Sequence, residues 1–243
     1  MQLTRFKALT FDCYGTLIDW ESGIWDALQP LIAQNNRSDI NRSHGLEAFA
    51  TFETAQELET PDMLYPDLLS HVHHKLAAHF KLNTNSSLDK AFGQSVPHWP
   101  AFPDSADALR LLKQHFKLVI LSNVHRDGFA ASNKKLGVTF DAIYTAEDVG
   151  SYKPNPANFE FMIKKLDTDL NIKPDEILHT AQSLHHDHVP AQQAGLNKAW
   201  IDRQDLANSD SWGATAIVEK RPDVEVRFSS LVEMAERALQ EYS

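Results

Sequence analysis

Five short apolar runs constrain this chain more than any other feature. FKALTFD (residues 6–12), KLVILSN (117–123), FDAIYTAED (140–148), DEILHTAQS (175–183) and NKAWIDR (197–203) each read as a strand of a few residues running into a polar stop. Apolar runs without polar alternation mark strands covered on both faces. Helical stripes lie between and after them. Leu109, Leu112 and Phe116 follow Asp104, which is placed to cap that helix. Phe159, Met162, Ile163 and Leu166 fall at i, i+3, i+4 and i+7, and Met234, Ala238 and Leu239 follow the capping-box pair Ser230 and Glu233. Strands alternating with amphipathic helices predict an α/β fold, a doubly wound parallel sheet forming a Rossmann-like core.

One interval departs from that rhythm. A βαβ unit takes about 30 residues, yet residues 13–116 separate the first strand from the second. Within them Leu64, Leu68, Val72, Leu76 and Phe80 recur at helical spacing, and Leu46 and Phe49 point to a second helix. The spacing predicts a helical insertion over 19–99, with PHWPAFPD (97–104) as the return linker, and a core of 1–18 and 100–243. An insertion placed directly after the first strand stands over the C-terminal strand ends, where open α/β sheets bind ligands, so it reads as a cap. Trp20, Trp25, Phe49, Phe52 and Trp99 either pack its helices or line a pocket beneath it.

A formal charge of −10 argues against a nucleic-acid partner but leaves room for a small anionic organic substrate in a local cationic pocket. The lone cysteine, Cys13, precludes an intrachain disulfide and reads as a small core residue. It fits a reducing compartment, and with no apolar leader at the start a cytoplasmic protein is expected. No run approaches 18 apolar residues, so no membrane span is expected. A monomer and a homodimer are both compatible with the pattern.

Four polar clusters fall at strand ends: Asp12 with Thr16, Ser122 with Asn123, Lys153 in SYKPNP, and Ser183 with Asp187. A parallel sheet would bring them to one crevice. Asp12 is either a nucleophilic carboxylate or a cap for the turn at Gly15. Lys153 either keeps a neighbouring carboxylate ionised or is a solvated surface lysine. Ser122 and Asn123 either donate to an anion or simply end their strand. In AQSLHHDHVPA (181–191), His185, His186 and His188 surround Asp187 without a metal-ligand spacing. Asp187 is read as facing the crevice with one histidine beside it and the others at the surface. His71, His73 and His74 read as polar-face residues of a cap helix.

Together FDCYGTLIDW (11–20), VILSN (119–123), SYKPNP (151–156) and AQSLHHDHVPA resemble the four motifs of the haloacid dehalogenase superfamily. Phosphatases of that superfamily carry an aspartate two residues after the nucleophile to protonate a leaving alcohol, and Tyr14 stands there instead. D-x-Y-G-T is similar to the type II (S)-2-haloacid dehalogenases, whose halide leaves without a proton. The resemblance implies that Asp12 displaces halide from the α-carbon of a small 2-haloalkanoic acid and that water then hydrolyses the aspartyl ester. It gives Lys153 and Asp187 catalytic roles, and Thr16, Ser122 and Asn123 roles in positioning the nucleophile and the substrate carboxylate; Tyr14 and Ser183 are expected beside the substrate, and His185 or His186 is expected to stand in for a water or halide partner that the family has and this chain lacks. No cofactor is implied. The alternative is a Mg²⁺-dependent phosphatase with the ion on Asp12, the Tyr14 carbonyl and Asp187; a third reading is a non-catalytic small-anion binder. The dehalogenases hold the halide with a cap arginine, whereas this chain has no arginine between Arg42 and Arg110. Phe159 stands where they carry a tyrosine, and Gln182 and Leu184 where they carry serine and asparagine.

Overall fold

A computed structural model describes residues 1–208, 218 and 220–243. Among the described residues six strands form one parallel sheet: β1 (Ala8–Phe11), β2 (Lys117–Ser122), β3 (Ala142–Thr145), β4 (Ile177–Ala181), β5 (Asn197–Ile201) and β6 (Val226–Phe228). Their spatial order is β3-β2-β1-β4-β5-β6. β1 is fully buried and pairs on both sides, Ala8 opposite Lys117 in β2 and Ile177 in β4. The strand order reverses between β1 and β4, so the loops leaving these two strands diverge and open a crevice at the C-terminal edge.

The helices are α1 (Trp20–Gln34), α2 (Arg42–Glu59), α3 (Tyr65–His79), α4 (Ser86–Gly93), α5 (Ser105–Leu112), α6 (Arg126–Leu136), α7 (Ala146–Val149), α8 (Ala157–Leu170), α9 (Val189–Gln193) and α10 (Leu231–Tyr242). Helices α1 to α4 occupy the long interval after β1, where the sequence predicts a helical insertion. Asp19 begins α1 by accepting the Ser22 amide, and Asn41 and Asn85 do the same for α2 and α4. The apolar faces of α1 to α4 join the side chains on one face of the sheet in a continuous core containing Phe11, Ile24, Phe49, Leu68, Val72, Leu76 and Trp99. Gly23 admits Trp99 there, since a Cβ on Gly23 would lie 2.2 Å from the indole. None of the described helices is long and apolar enough to cross a membrane.

Five strands fall inside the predicted runs. The sixth, VRF, has three residues at the sheet edge with Arg227 exposed, too little apolar pattern to read as a strand. The run at 140–148 is shorter than expected as a strand, because Thr145 and Asp148 form a capping box that starts α7. Asp104 precedes α5, but its side chain does not cap that helix. Its carboxylate accepts the Leu231 and Val232 amides at 2.8 and 3.2 Å, the unpaired donors at the start of α10. Ser230 accepts the Glu233 amide, whereas Glu233 reaches back to Ser229, so the predicted capping box is only half formed. His71 and His74 are exposed, but His73 is buried between α3 and α4, hydrogen-bonded to Asp89 at 2.6 Å and packed on Phe92.

Candidate active site

The chain leaves β1 at Asp12 and turns at once. Leu17 and Ile18 both donate to the Cys13 carbonyl, and Gly15 sits at φ +96°, a conformation that disfavours any side chain. A Cβ there would also crowd Gln182 and Trp20 at 3.2 Å. The turn brings Thr16 back to Asp12: its hydroxyl donates to Asp12 Oδ2 at 2.9 Å and accepts the Gln182 amide at 2.9 Å, tying the end of β1 to the end of β4. Cys13 is fully buried, and burial pushes its thiol well up.

Lys153 lies across the crevice from Asp12 and is 1% exposed. Its ammonium donates to Asp12 Oδ1 at 2.9 Å, Asp187 Oδ1 at 2.6 Å and the Leu121 carbonyl at 3.0 Å, which uses all three of its donors. A reciprocal pair fixes its backbone, with the Lys153 amide donating to Asn123 Oδ1 and Asn123 Nδ2 donating to the Lys153 carbonyl. Behind Asp187, His179 bonds Asp187 Oδ1 at 3.0 Å through Nε2 and Thr10 at 2.9 Å through Nδ1. Phe159 packs edge-on against the His179 ring. Hydrogen bonds therefore run unbroken from Thr10 through His179, Asp187, Lys153, Asp12 and Thr16 to Gln182.

Two buried carboxylates about one ammonium leave excess negative charge in a dry place. Burial pushes the Asp12 carboxyl above its ordinary value, and Asp187 adds to this while Lys153 opposes it. Burial also disfavours the Asp187 charge, but Lys153 and His179 outweigh it and hold that carboxyl well below the usual range. Burial alone would lower Lys153, yet its two carboxylate partners raise it, so it remains an ammonium.

The crevice opens into a cavity of about 60 Å³. Its floor includes Asp12, Tyr14, Asn123, Lys153, Gln182, Ser183, His186 and Asp187, and its roof is one stripe of α2, Ala50, Glu53, Thr54 and Glu57, with Trp20 and Tyr65 beside it. The roof and floor touch. Glu57 Oε1 accepts from Asn123 Nδ2 at 3.0 Å, and Glu57 Oε2 lies 3.5 Å from His186 Nε2, an ion-pair separation. The Tyr65 hydroxyl donates to Glu53 Oε1. Tyr14 turns its hydroxyl away from Asp12 to Ser132 at 3.1 Å, and its ring meets Trp99 edge-on. Burial pushes that phenol well up, so it stays neutral.

A sequence model of the haloacid dehalogenase-like hydrolases matches residues 6–195. The chain belongs to this family. It is 26% identical over 209 residues, 82% of this chain and 84% of the other, to (S)-2-haloacid dehalogenase 4A of Burkholderia cepacia. It is 25% identical over 235 residues, 92% and 93% of the two chains, to the pyrophosphatase PpaX of Bacillus pumilus. Its fold superposes on L-2-haloacid dehalogenase from Xanthobacter autotrophicus with chloropropionic acid covalently bound, with a TM-score of 0.76 at 17% identity over 95% of this chain and 97% of that one.

Within this haloacid dehalogenase-like hydrolase the residues singled out from sequence do not all face the cavity. Asp12, Tyr14, Asn123, Lys153, Ser183, His186 and Asp187 line it. Thr16 sits behind Asp12. The Ser122 hydroxyl is buried with no partner among the described residues, and both Asn123 donors are already engaged. Ser183 begins a single π-helical turn, Leu184–His188, by accepting the His186 amide, and that turn sends the adjacent histidines different ways. His186 faces Glu57, whose charge raises it against the opposing effect of burial. His185 lies outside the cavity lining, edge-on to His186, and burial lowers it to about 4.

His188 is not at the surface, as its sequence neighbourhood suggests, but fully buried, bonded to the Ala181 carbonyl at 2.9 Å and edge-on to Trp200. Burial lowers it to about 4, against about 6.5 in an unfolded chain. Between those values the unfolded chain takes up a proton that the folded protein refuses. Stability is therefore complete above about pH 6.5 and is lost as pH falls toward 4. Urea unfolding at pH 7 and pH 4.5 is expected to show wild type losing about 2–3 kcal/mol more than His188→Gln. Equal losses in the two proteins would contradict this reading.

The donor set does not suit a hard cation well. Lys153 already spans the Oδ1 atoms of Asp12 and Asp187, and Thr16 engages Asp12 Oδ2, leaving Asp187 Oδ2 and the Tyr14 carbonyl. Ser183 offers this space a hydroxyl in place of a carboxylate, a weaker ligand for a hard cation. Among the described residues no three His, Cys, Asp or Glu side chains converge at ligand spacing.

His179, Glu53 and Glu57 complete the site without having been singled out from sequence. His179 lies inside an otherwise apolar strand. The two glutamates are an i, i+4 pair on the face of α2 that also carries Leu46, Phe49 and Ala50, and that spacing was the available signal.

Proposed function

We propose that this hydrolase is a 2-haloacid dehalogenase in which Asp12 is the nucleophile and the helical insertion is the cap over its substrate. The observation that carries the reading is the Asp12–Lys153–Asp187 cluster at the switch point of the sheet, joined to a residue-14 side chain that cannot serve as an acid. A carboxylate fixed at both oxygens, by Lys153 and Thr16, is aimed for displacement at a carbon in the cavity. An Asp12 oxygen forms a bond to the substrate α-carbon as the carbon–halogen bond breaks, and the bonding pair leaves with the halide. Water then attacks the ester carbonyl of Asp12. The water oxygen bonds to the Asp12 carbonyl carbon as the bond from that carbon to the substrate's ester oxygen breaks; one of the water's protons ends on the hydroxyl of the 2-hydroxy acid and the other is released to solvent as Asp12 returns to a carboxylate. Asp187 Oδ2, buried without a partner among the described residues, accepts the attacking water's hydrogen bond. The proposed steps use no cofactor.

The pyrophosphatase relative supplies the competing reading, hydrolysis of a phosphate compound with a metal ion. The two separate in one assay. Chloride release from (S)-2-chloropropionate in the presence of EDTA is the expected result. No halide release, with p-nitrophenyl phosphate turnover that EDTA abolishes, would replace this reading by the phosphatase.

A further inference from the structure

The dehalogenase reading leaves a departing halide with no uncommitted cation on the cavity: Lys153 spends its three donors on Asp12, Asp187 and Leu121, and His186 faces Glu57. Arg42 is the nearest arginine in sequence to the cavity roof, but it stands at the start of α2, 3.2 Å from Ser22 and 3.9 Å from Glu21, and does not line the cavity. The insertion's other residues on the cavity are Trp20, Ala50, Glu53, Thr54, Glu57 and Tyr65, none of them basic. Two are carboxyls. Glu57 is engaged by Asn123 and His186. Among the described residues Glu53 is held through Oε1 alone, by Tyr65, and it is partly accessible from the cavity.

We infer that Glu53, as a neutral carboxylic acid oriented by Tyr65, donates its Oε2 hydrogen to the halide leaving the Asp12 reaction centre. This inference rests on the dehalogenase reading and assigns the departing group's partner within it. No proton is transferred: the halide carries away the bonding pair and accepts the hydrogen bond. An ionised Glu53 would repel both the halide and the substrate carboxylate.

The surroundings keep the proton on. Burial acts first, and the negative charge of Glu57 one turn away adds to it, while the Tyr65 hydrogen bond and His186 oppose. The balance pushes Glu53 up to about 8, so the acid form predominates by about ten to one at pH 7. The other charged groups facing the cavity are Asp12, Asp187 and Lys153 on the floor, and Tyr152 packs against Tyr65. A preorganised donor aimed at developing negative charge accelerates a reaction by about 10² or more.

The test is chloride release as a function of pH for wild type, Glu53→Gln and Glu53→Ala. Wild-type kcat/KM is expected to fall as pH rises through about 8, where Glu53 of the free enzyme loses its proton. Glu53→Ala is expected to lose about 10²-fold at pH 7. Glu53→Gln retains a donor, so it is expected to recover most of that loss and to show no decline near pH 8. Wild-type turnover by Glu53→Ala, or an unchanged alkaline decline in Glu53→Gln, would overturn the inference. If wild type releases no halide, the dehalogenase reading fails separately, and bromide binding decides the Glu53 question. Saturable quenching of tryptophan fluorescence by bromide at pH 6, lost at pH 9 and in Glu53→Ala, would support the donor. No such quenching at pH 6 would refute it.

Discussion

Asp12→Asn is expected to abolish dehalogenation, by at least about 10⁴-fold, while leaving the protein folded. The amide keeps the shape of the carboxylate but is a poor nucleophile and cannot form the ester. The fold tolerates the change for an electrostatic reason. Asp12 and Asp187 share a single buried ammonium, and removing one carboxylate leaves a balanced pair. Its carbonyl oxygen can still accept from Lys153, and the Thr16 hydroxyl, which also accepts from Gln182, can turn to accept the new amide. Urea unfolding is expected to place the variant within about 1 kcal/mol of wild type. Halide release at more than a few per cent of the wild-type rate would show that Asp12 is not the nucleophile.

Lys153→Met is expected to remove activity and, unlike Asp12→Asn, to destabilise the protein. Methionine fills much of the volume but leaves Asp12 and Asp187 facing each other without the cation. Removing one partner of a buried ion pair costs about 3–5 kcal/mol. The pH dependence gives the mechanism away. In wild type, Asp187 is held below its unfolded value, so its stabilising contribution is present above about pH 4 and is lost as pH falls further. In the variant, both carboxyls shift up. The penalty is then full at high pH and shrinks as pH falls and one carboxyl takes a proton. Urea unfolding of the variant and wild type at pH 8 and pH 5.5 is expected to show a smaller gap at pH 5.5. A constant gap would mean that lost packing, not charge, accounts for the cost.

The contrast between the two variants follows from what the sequence exposes and what only the fold supplies. Strand ends are legible because each buried strand is a short apolar run with a polar stop, and a parallel sheet brings such stops together. That placed Asp12, Asn123, Lys153 and Asp187 around one crevice. The roof was not legible in the same way. The sequence shows an i, i+4 pair at Glu53 and Glu57, but it is the burial of Leu46 and Phe49 on the same face of α2 in the common core that turns the pair inward. Histidines deceived for a related reason. His73 and His188 carry polar side chains on apparently polar stretches, yet each finds one hydrogen-bond partner indoors and packs like an aromatic core residue. His179, buried inside β4, finds two partners, Thr10 and Asp187, and thereby orients Asp187. Asp104 caps α10 rather than the helix it precedes, a contact between segments far apart in the chain.

The proposed reaction passes through a covalent ester on Asp12. Its most direct test is a single turnover of excess enzyme with (S)-2-chloropropionate in ¹⁸O-labelled water, followed by mass spectrometry of the peptide that carries Asp12. Water that attacks the ester carbonyl leaves its oxygen in the Asp12 carboxylate, and the 2-hydroxy acid carries an oxygen from the enzyme; label in the peptide and unlabelled product is the expected result. Label in the product with none at Asp12 would mean that water attacks the substrate carbon directly, and the account of Asp12 as nucleophile would be wrong.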